Sequence, residues 1–218
     1  MSTATIDELT LADDAARWAQ LGFAVGDDCV QIGGVRLRMA GRQAGRGIMQ
    51  WSLRGVSGSE LDGLATTISQ RPAPGPPPRH PNGVLAIDHV VAMSPALDRS
   101  IEALRRAGLE LRRVREEPTP AGAPRQAFFR LGAEILELVA EPDDVVARAG
   151  GRDHAARFWG LALTVSDLDR GAELMAPHVG EIRPAVQAGR RIATLRRSAG
   201  LAIPVALMST TDDRVPAL

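Results

Sequence analysis

The chain contains no lysine and no tyrosine, a single cysteine and, at 3%, few aromatic residues. Each scarcity removes chemistry. Without lysine there is no Schiff-base nucleophile, and without tyrosine no phenolic acid. One thiol can form no intrachain disulfide. Cys29 lies in GDDCVQIGG, beside two acidic residues that would raise a thiol pKa, so it reads as a buried strand residue and not as a nucleophile. The 26 basic residues are all arginine and balance 26 acidic ones. With zero net charge, no basic tail and few rings for base stacking, nothing points to a nucleic-acid partner. No apolar run approaches the roughly 20 residues a spanning helix needs. MSTATIDELT lacks the basic and apolar regions of a signal peptide. The expectation is a cytoplasmic protein that does not enter a membrane.

What is present is 218 residues, 44% of them hydrophobic, enough to bury a proper core. RPAPGPPPRHPNG, residues 71–83, is a linker, because proline at that density joins neither a helix nor a central strand. It separates residues 1–70 from residues 84–210. The second part repeats itself. Its first copy is a strand, LAIDHVVAM, then a helix, SPALDRSIEALRRAGLEL, with Ser94 as N-cap, Pro95 in the first turn and Gly108 at the C-terminus. Leu97, Ile101 and Leu104 fall on one helical face. LELRRVRE, RQAFFRLG and AEILELVAEP then read as three strands. The second copy runs FWGLALTV, a helix from Ser166 that Pro177 must end, and three strands in EIRPAVQA, RRIATLRRS and LAIPVALMS. Leu97-Asp98-Arg99 recurs at Leu168-Asp169-Arg170, and Glu102 matches Glu173 at the same offset.

Residues 1–70 read as worn copies of the same unit. TIDELTL is a strand, ADDAARWAQLGF a helix ending at Gly22, and CVQIGGVRLRMAG one or two strands. GIMQWSLRGV is a strand and SGSELDGLATTIS a short helix, with no strand after it before the linker.

IDHVV, LDRSIEALRRAGLE, QAFFRLG and ILELV, in that order and duplicated, resemble the vicinal oxygen chelate superfamily. That family includes glyoxalase I, extradiol dioxygenases, methylmalonyl-CoA epimerase and bleomycin-resistance proteins, and the chain is most similar to a glyoxalase-like branch. The resemblance implies an α+β fold in which tandem βαβββ modules form a curled mixed β-sheet with helices outside. Residues 84–210 would be that tandem domain, and residues 1–70 degenerate modules packed on it. Two modules would pair around a cleft, within one chain or across a homodimer. Metal-binding members place ligands on the first and last strands of each module. Those positions are His89 and Glu137 in the first copy, but about Leu161 and Ala206 in the second.

The implied cofactor is one divalent metal (Fe, Mn, Ni or Zn). Such a site needs three protein ligands. Glu8, near the His89 position in the N-terminal copy, is one candidate third; His80, His154, His178 or a second subunit are the others. Without metal, Glu137 as general base and His89 as acid form a catalytic pair. Alternatively the two hydrogen-bond each other across the sheet, with the imidazole lowering the Glu137 pKa. Arg125, Arg190 and Arg191 open strands and could fork a carboxylate or phosphate. Of these, Arg125 and Arg191, with Phe128 and Trp159, complete the candidate substrate-binding set; alternation lets only one of Phe128 and Phe129 face the cleft. Three functions follow. The first is a glyoxalase-like protein that binds a small organic molecule. The second is a metal-dependent lyase, isomerase, epimerase or dioxygenase acting on a vicinal-oxygen substrate. The third is a structural or interaction protein with a filled cleft.

Overall fold

The computed structural model describes residues 3–119, 122 and 124–210. The N-terminal part runs β1 (Thr5–Leu11), α1 (Ala15–Gln20), β2 (Cys29–Ile32), β3 (Val35–Met39), β4 (Ile48–Arg54) and β5 (Thr66–Ile68). These strands form a five-stranded sheet in the order β2-β3-β1-β4-β5. The remainder begins with β6 (Val84–Ser94), α2 (Leu97–Arg106), β7 (Glu110–Arg115), β8 (Gln126–Leu131) and β9 (Glu134–Ala140). A short α3 (Asp143–Arg148) leads to β10 (Arg157–Val165), α4 (Leu168–Leu174), β11 (Arg183–Pro184), β12 (Arg191–Thr194) and β13 (Val205–Met208). All eight of these strands join one sheet, β11-β12-β13-β10-β6-β9-β8-β7.

The large sheet is therefore two βαβββ modules, mixed α+β as the sequence implies. They meet along the antiparallel pair β6·β10, and in each the first strand lies parallel to the last, β6 with β9 and β10 with β13. The small sheet has the same centre. There β1 is parallel to β3, antiparallel to β4, and β4 is parallel to β5. Cys29 opens β2 half-buried, and burial chiefly raises its thiol pKa.

Local chemistry moved several boundaries. Ser94 is not the N-cap of α2: it still belongs to β6, and its hydroxyl pairs with Ser100 (2.6 Å) and accepts from the Ala96 N–H. α2 starts three residues later and buries Leu97, Ala103 and Leu104, with Ile101 packed alongside. It stops before Gly108, whose φ of 91° suits a residue without Cβ. α4 is capped by Asp167, which accepts from the Arg170 N–H, and not by Ser166; a carboxylate there also meets the positive end of the helix. No helix forms in SGSELDGLATTIS. Asp62 and Gly63 both adopt positive φ, and β-branched Thr66, Thr67 and Ile68 make β5 instead.

The proline-rich segment has no helix or strand, yet it is pinned. His80 accepts from the Ala24 N–H and donates to the Gln31 carbonyl, both at 3.0 Å, with its ring edge-on to Phe23. Asn82 donates to the Leu21 carbonyl. One hydrophobic cluster runs through both sheets. Trp51 of β4 meets Phe158 of β10 edge-on at 5.1 Å, and the Asp62 carboxylate receives Arg99 and Ser100 from α2. Among the described residues no helix is long and apolar enough to cross a membrane.

Candidate functional site

The ladder between β6 and β10 shifts register in three places, and one of the shifts falls at Asp88. Ile87 pairs with Leu163 and His89 with Ala162, so Asp88 is an extra residue on one side of the ladder, a β-bulge. The bulge resets the alternation and both Asp88 and His89 line the same cleft. On the opposite face Ile87, Val90 and Ala92 are buried in the core. The position of the imidazole in an apolar strand thus has a backbone cause.

His89 is held from two sides. Its Nδ1 donates to Asp88 Oδ2 at 2.9 Å, and its Nε2 faces Glu137 Oε2 on β9 at 3.1 Å. The other Glu137 oxygen accepts from the Gln126 amide on β8. Asp88 is itself anchored, with Arg190 at 2.6 Å and the Thr164 hydroxyl at 3.3 Å. Arg190 is nearly enclosed and also donates to the Ser209 carbonyl and the Gln187 side chain.

The two carboxyls respond oppositely. Burial alone would raise Asp88, but the hydrogen bonds and charges of His89 and Arg190 outweigh it and hold the group at about 2. Burial raises Glu137 above the ordinary carboxylate range, and His89 and Gln126 offset it only in part. His89 does lower Glu137, as expected of the neighbouring imidazole, but desolvation outweighs it and the net shift is upward. Asp88 stays anionic and fixes the ring.

The cleft has two lobes that meet at this pair. One, of about 460 Å³, is lined by His89, Glu137, Phe128 and several arginines of β7 and β8. The other, of about 430 Å³, is mostly apolar and includes Val91, Met93, Trp159, Leu161 and Ala206. Phe128 faces the cleft while Phe129 is fully buried behind it, as alternation requires. Trp159 stands at the apolar wall, 47% exposed.

Three candidate residues are not brought to the site. Glu8 lies on β1 of the small sheet, lining a separate polar pocket and paired with Arg38 and Arg71. Arg125 is spent on Glu116 at 2.6 Å and Asp98 at 3.2 Å, outside the cleft. Arg191 reaches Asp169 on α4 at 2.7 Å. It is its neighbour Arg190 that enters the site, the two lying on opposite sides of the chain. Asp88 and Gln126 are neighbours of the pair that the sequence reading did not single out, and Arg190, named there only as a possible oxyanion fork, instead holds Asp88. One signal for Asp88 was legible: Ile87-Asp88-His89 repeats Ile6-Asp7-Glu8, and Asp7 is likewise the bulged residue of β1.

A divalent metal does not fit these residues. The separation of His89 and Glu137 would suit two ligands of one ion, but the count fails. The second-module positions are Leu161 and Ala206, Gln126 turns its N–H and not its oxygen inward, and Asp88 is occupied by Arg190. Among the described residues no group of three or more His, Cys, Asp or Glu converges. Two donors fall short of the three that a catalytic site needs.

No protein-family model matches the chain, and no curated protein matches it. Solved structures do. A xylose isomerase-like TIM barrel/4-hydroxyphenylpyruvate dioxygenase fusion protein is 13% identical, with a TM-score of 0.62 over all of this chain and half of that one. Methylmalonyl-CoA epimerase from Mycobacterium tuberculosis is 21% identical over 58% of this chain and 89% of its own, with a TM-score of 0.47. A variant of the Streptomyces coelicolor epimerase, in complex with 2-nitronate-propionyl-CoA, is 21% identical over 61% and 99%, with a TM-score of 0.46. The first superposition covers both sheets and agrees with the duplicated module order read from the sequence. The chain has the vicinal oxygen chelate fold.

Proposed function

We propose that this chain binds a small organic molecule in the two-lobed cleft and moves a proton on it, with Glu137 as general base and His89 as general acid. The observation that carries the reading is the His89–Glu137 contact, 3.1 Å, at the junction of both lobes. Burial makes Glu137 a stronger base than an exposed carboxylate once it is ionised, and His89 beside it can return a proton to an adjacent oxygen. Asp88 and Arg190 position the ring and touch no reacting atom. A cleft of this size and lining suits a small ligand and speaks against a cleft filled by its own side chains.

The test is hydrogen–deuterium exchange at carbon. Carbonyl compounds with an acidic C–H are incubated with the protein in heavy water and followed by NMR. Exchange that is lost in Glu137→Gln and reduced in Asp88→Asn supports the reading. Binding without exchange in the intact protein would leave a sequestering protein in place of a catalyst.

A further inference from the structure

The charges along the cleft say what kind of molecule it takes. Resting on the small-molecule reading above, we infer that the ligand is an amphiphilic oxyanion: a carboxylate or phosphate head held by arginines of β7 and β8, and an apolar tail lying under Trp159.

Arg112, Arg113, Arg115 and Arg130 line the first lobe, against only two carboxyls, Asp88 and Glu137. Both carboxyls are already engaged, Asp88 by Arg190 and Glu137 by His89 and Gln126. Arg112 pairs with Glu110 at 2.6 Å. Arg113, Arg115 and Arg130 take part in none of the ion pairs found among the described residues. The small sheet is the internal contrast, since Arg36, Arg54 and Arg71 there all converge on the buried Asp7.

Register puts the unpaired arginines where a ligand would meet them. Arg113 sits opposite Phe128, which sits opposite Glu137, and Arg115 sits opposite Gln126. The Arg113 guanidinium lies over the Phe128 ring, 4.6 Å from its centroid, so its fork is held in place over the cleft face. A guanidinium so placed binds an oxyanion through paired N–H donors. The second lobe is mostly apolar, although Arg183 also lines it; among the described residues Glu137 is its one carboxylate, and Trp159 and Val186 are 47% and 67% exposed. His89, Gln126 and Glu137 line both lobes. A molecule lying across them puts its head among arginines, its tail on Trp159 and its middle atoms against the His89–Glu137 pair.

The experiment compares octanoate and octyl phosphate with the neutral octanamide and with acetate, by calorimetry on the full chain. The expected result is that either oxyanion binds at least about 10-fold more tightly than octanamide, the value of one or two charge-assisted hydrogen bonds. Arg115→Gln with Arg130→Gln, the first half-buried and the second exposed, should erase that preference, and Trp159→Ala should bring octanoate down to the level of acetate. Octanamide binding as well as octanoate, or a preference that survives the arginine substitutions, would overturn the inference and leave the small-molecule reading standing. Failure of all four probes to bind, together with absence of deuterium exchange at carbon, would overturn both.

Discussion

Replacing Asp88 by Asn keeps the shape of the side chain and removes the charge that Arg190 and His89 share. The size of the loss follows from the carboxyl itself. Its pKa moves from 3.8 to about 2 on folding, which corresponds to about 2 kcal/mol of stability at neutral pH. The group's folded pKa lies below its unfolded one, so this contribution is complete above 3.8 and disappears as pH falls through about 2. At pH 3 about half should remain. The substitution also leaves Arg190 enclosed with only neutral partners, a further cost that does not titrate in this range. Urea unfolding of both proteins at pH 7 and pH 3 separates the two costs. We expect a gap of about 2 kcal/mol or more at pH 7, narrowing by about 1 kcal/mol at pH 3. A gap that does not change with pH would show that Asp88 carries no folding-linked charge, and the account of how His89 is positioned would fall with it.

Glu137→Gln should behave oppositely. Its folded pKa is raised, so its stabilising contribution is present below 4.5 and lost as pH rises through the folded value. The variant should be at least as stable as the parent at neutral pH by thermal melting while losing proton exchange; a clear drop in melting temperature would contradict the burial argument. Gly160→Ala would drive a Cβ into the Pro204 carbonyl oxygen, pushing β13 from β10. A cost of about 1–3 kcal/mol is expected, read as a lowered melting temperature, and an unchanged melt would refute the close approach. Elemental analysis after incubation with Fe, Mn, Ni or Zn should find well below one equivalent bound; a full equivalent that His89→Ala removes would restore a metal centre.

Module order was legible because it is written twice. Helix periodicity at Leu97, Ile101 and Leu104 and the recurring Leu-Asp-Arg fix where each helix follows its strand, and the eight-stranded sheet agrees. The caps were misread because Ser94 and Ser166 are ordinary capping residues whose position depends on where the strand lets go. β5 escaped for a different reason: three residues are too short for a period to show. At the site, His89 and Glu137 could be placed on their strands, and the structure brings them into contact. Arg190 and Arg191 could not be told apart, because side-chain direction in a strand flips with every residue and depends on a register that the chain alone does not print. The bulge at Asp88 breaks that same alternation, so no rule of period two could put Asp88 beside His89. Glu8 was matched to the right place in its own copy, but that copy folds into a different sheet.

The unpaired arginine wall has a kinetic consequence. The chain as a whole is neutral, so a concentration of positive charge at the cleft requires an excess of negative charge elsewhere on the molecule. For the oxyanion proposed above, these arginines set up a local positive field that draws the head group in first. Added salt should therefore slow capture more than release, because screening shortens the reach of this field and leaves the contacts inside the cleft largely intact.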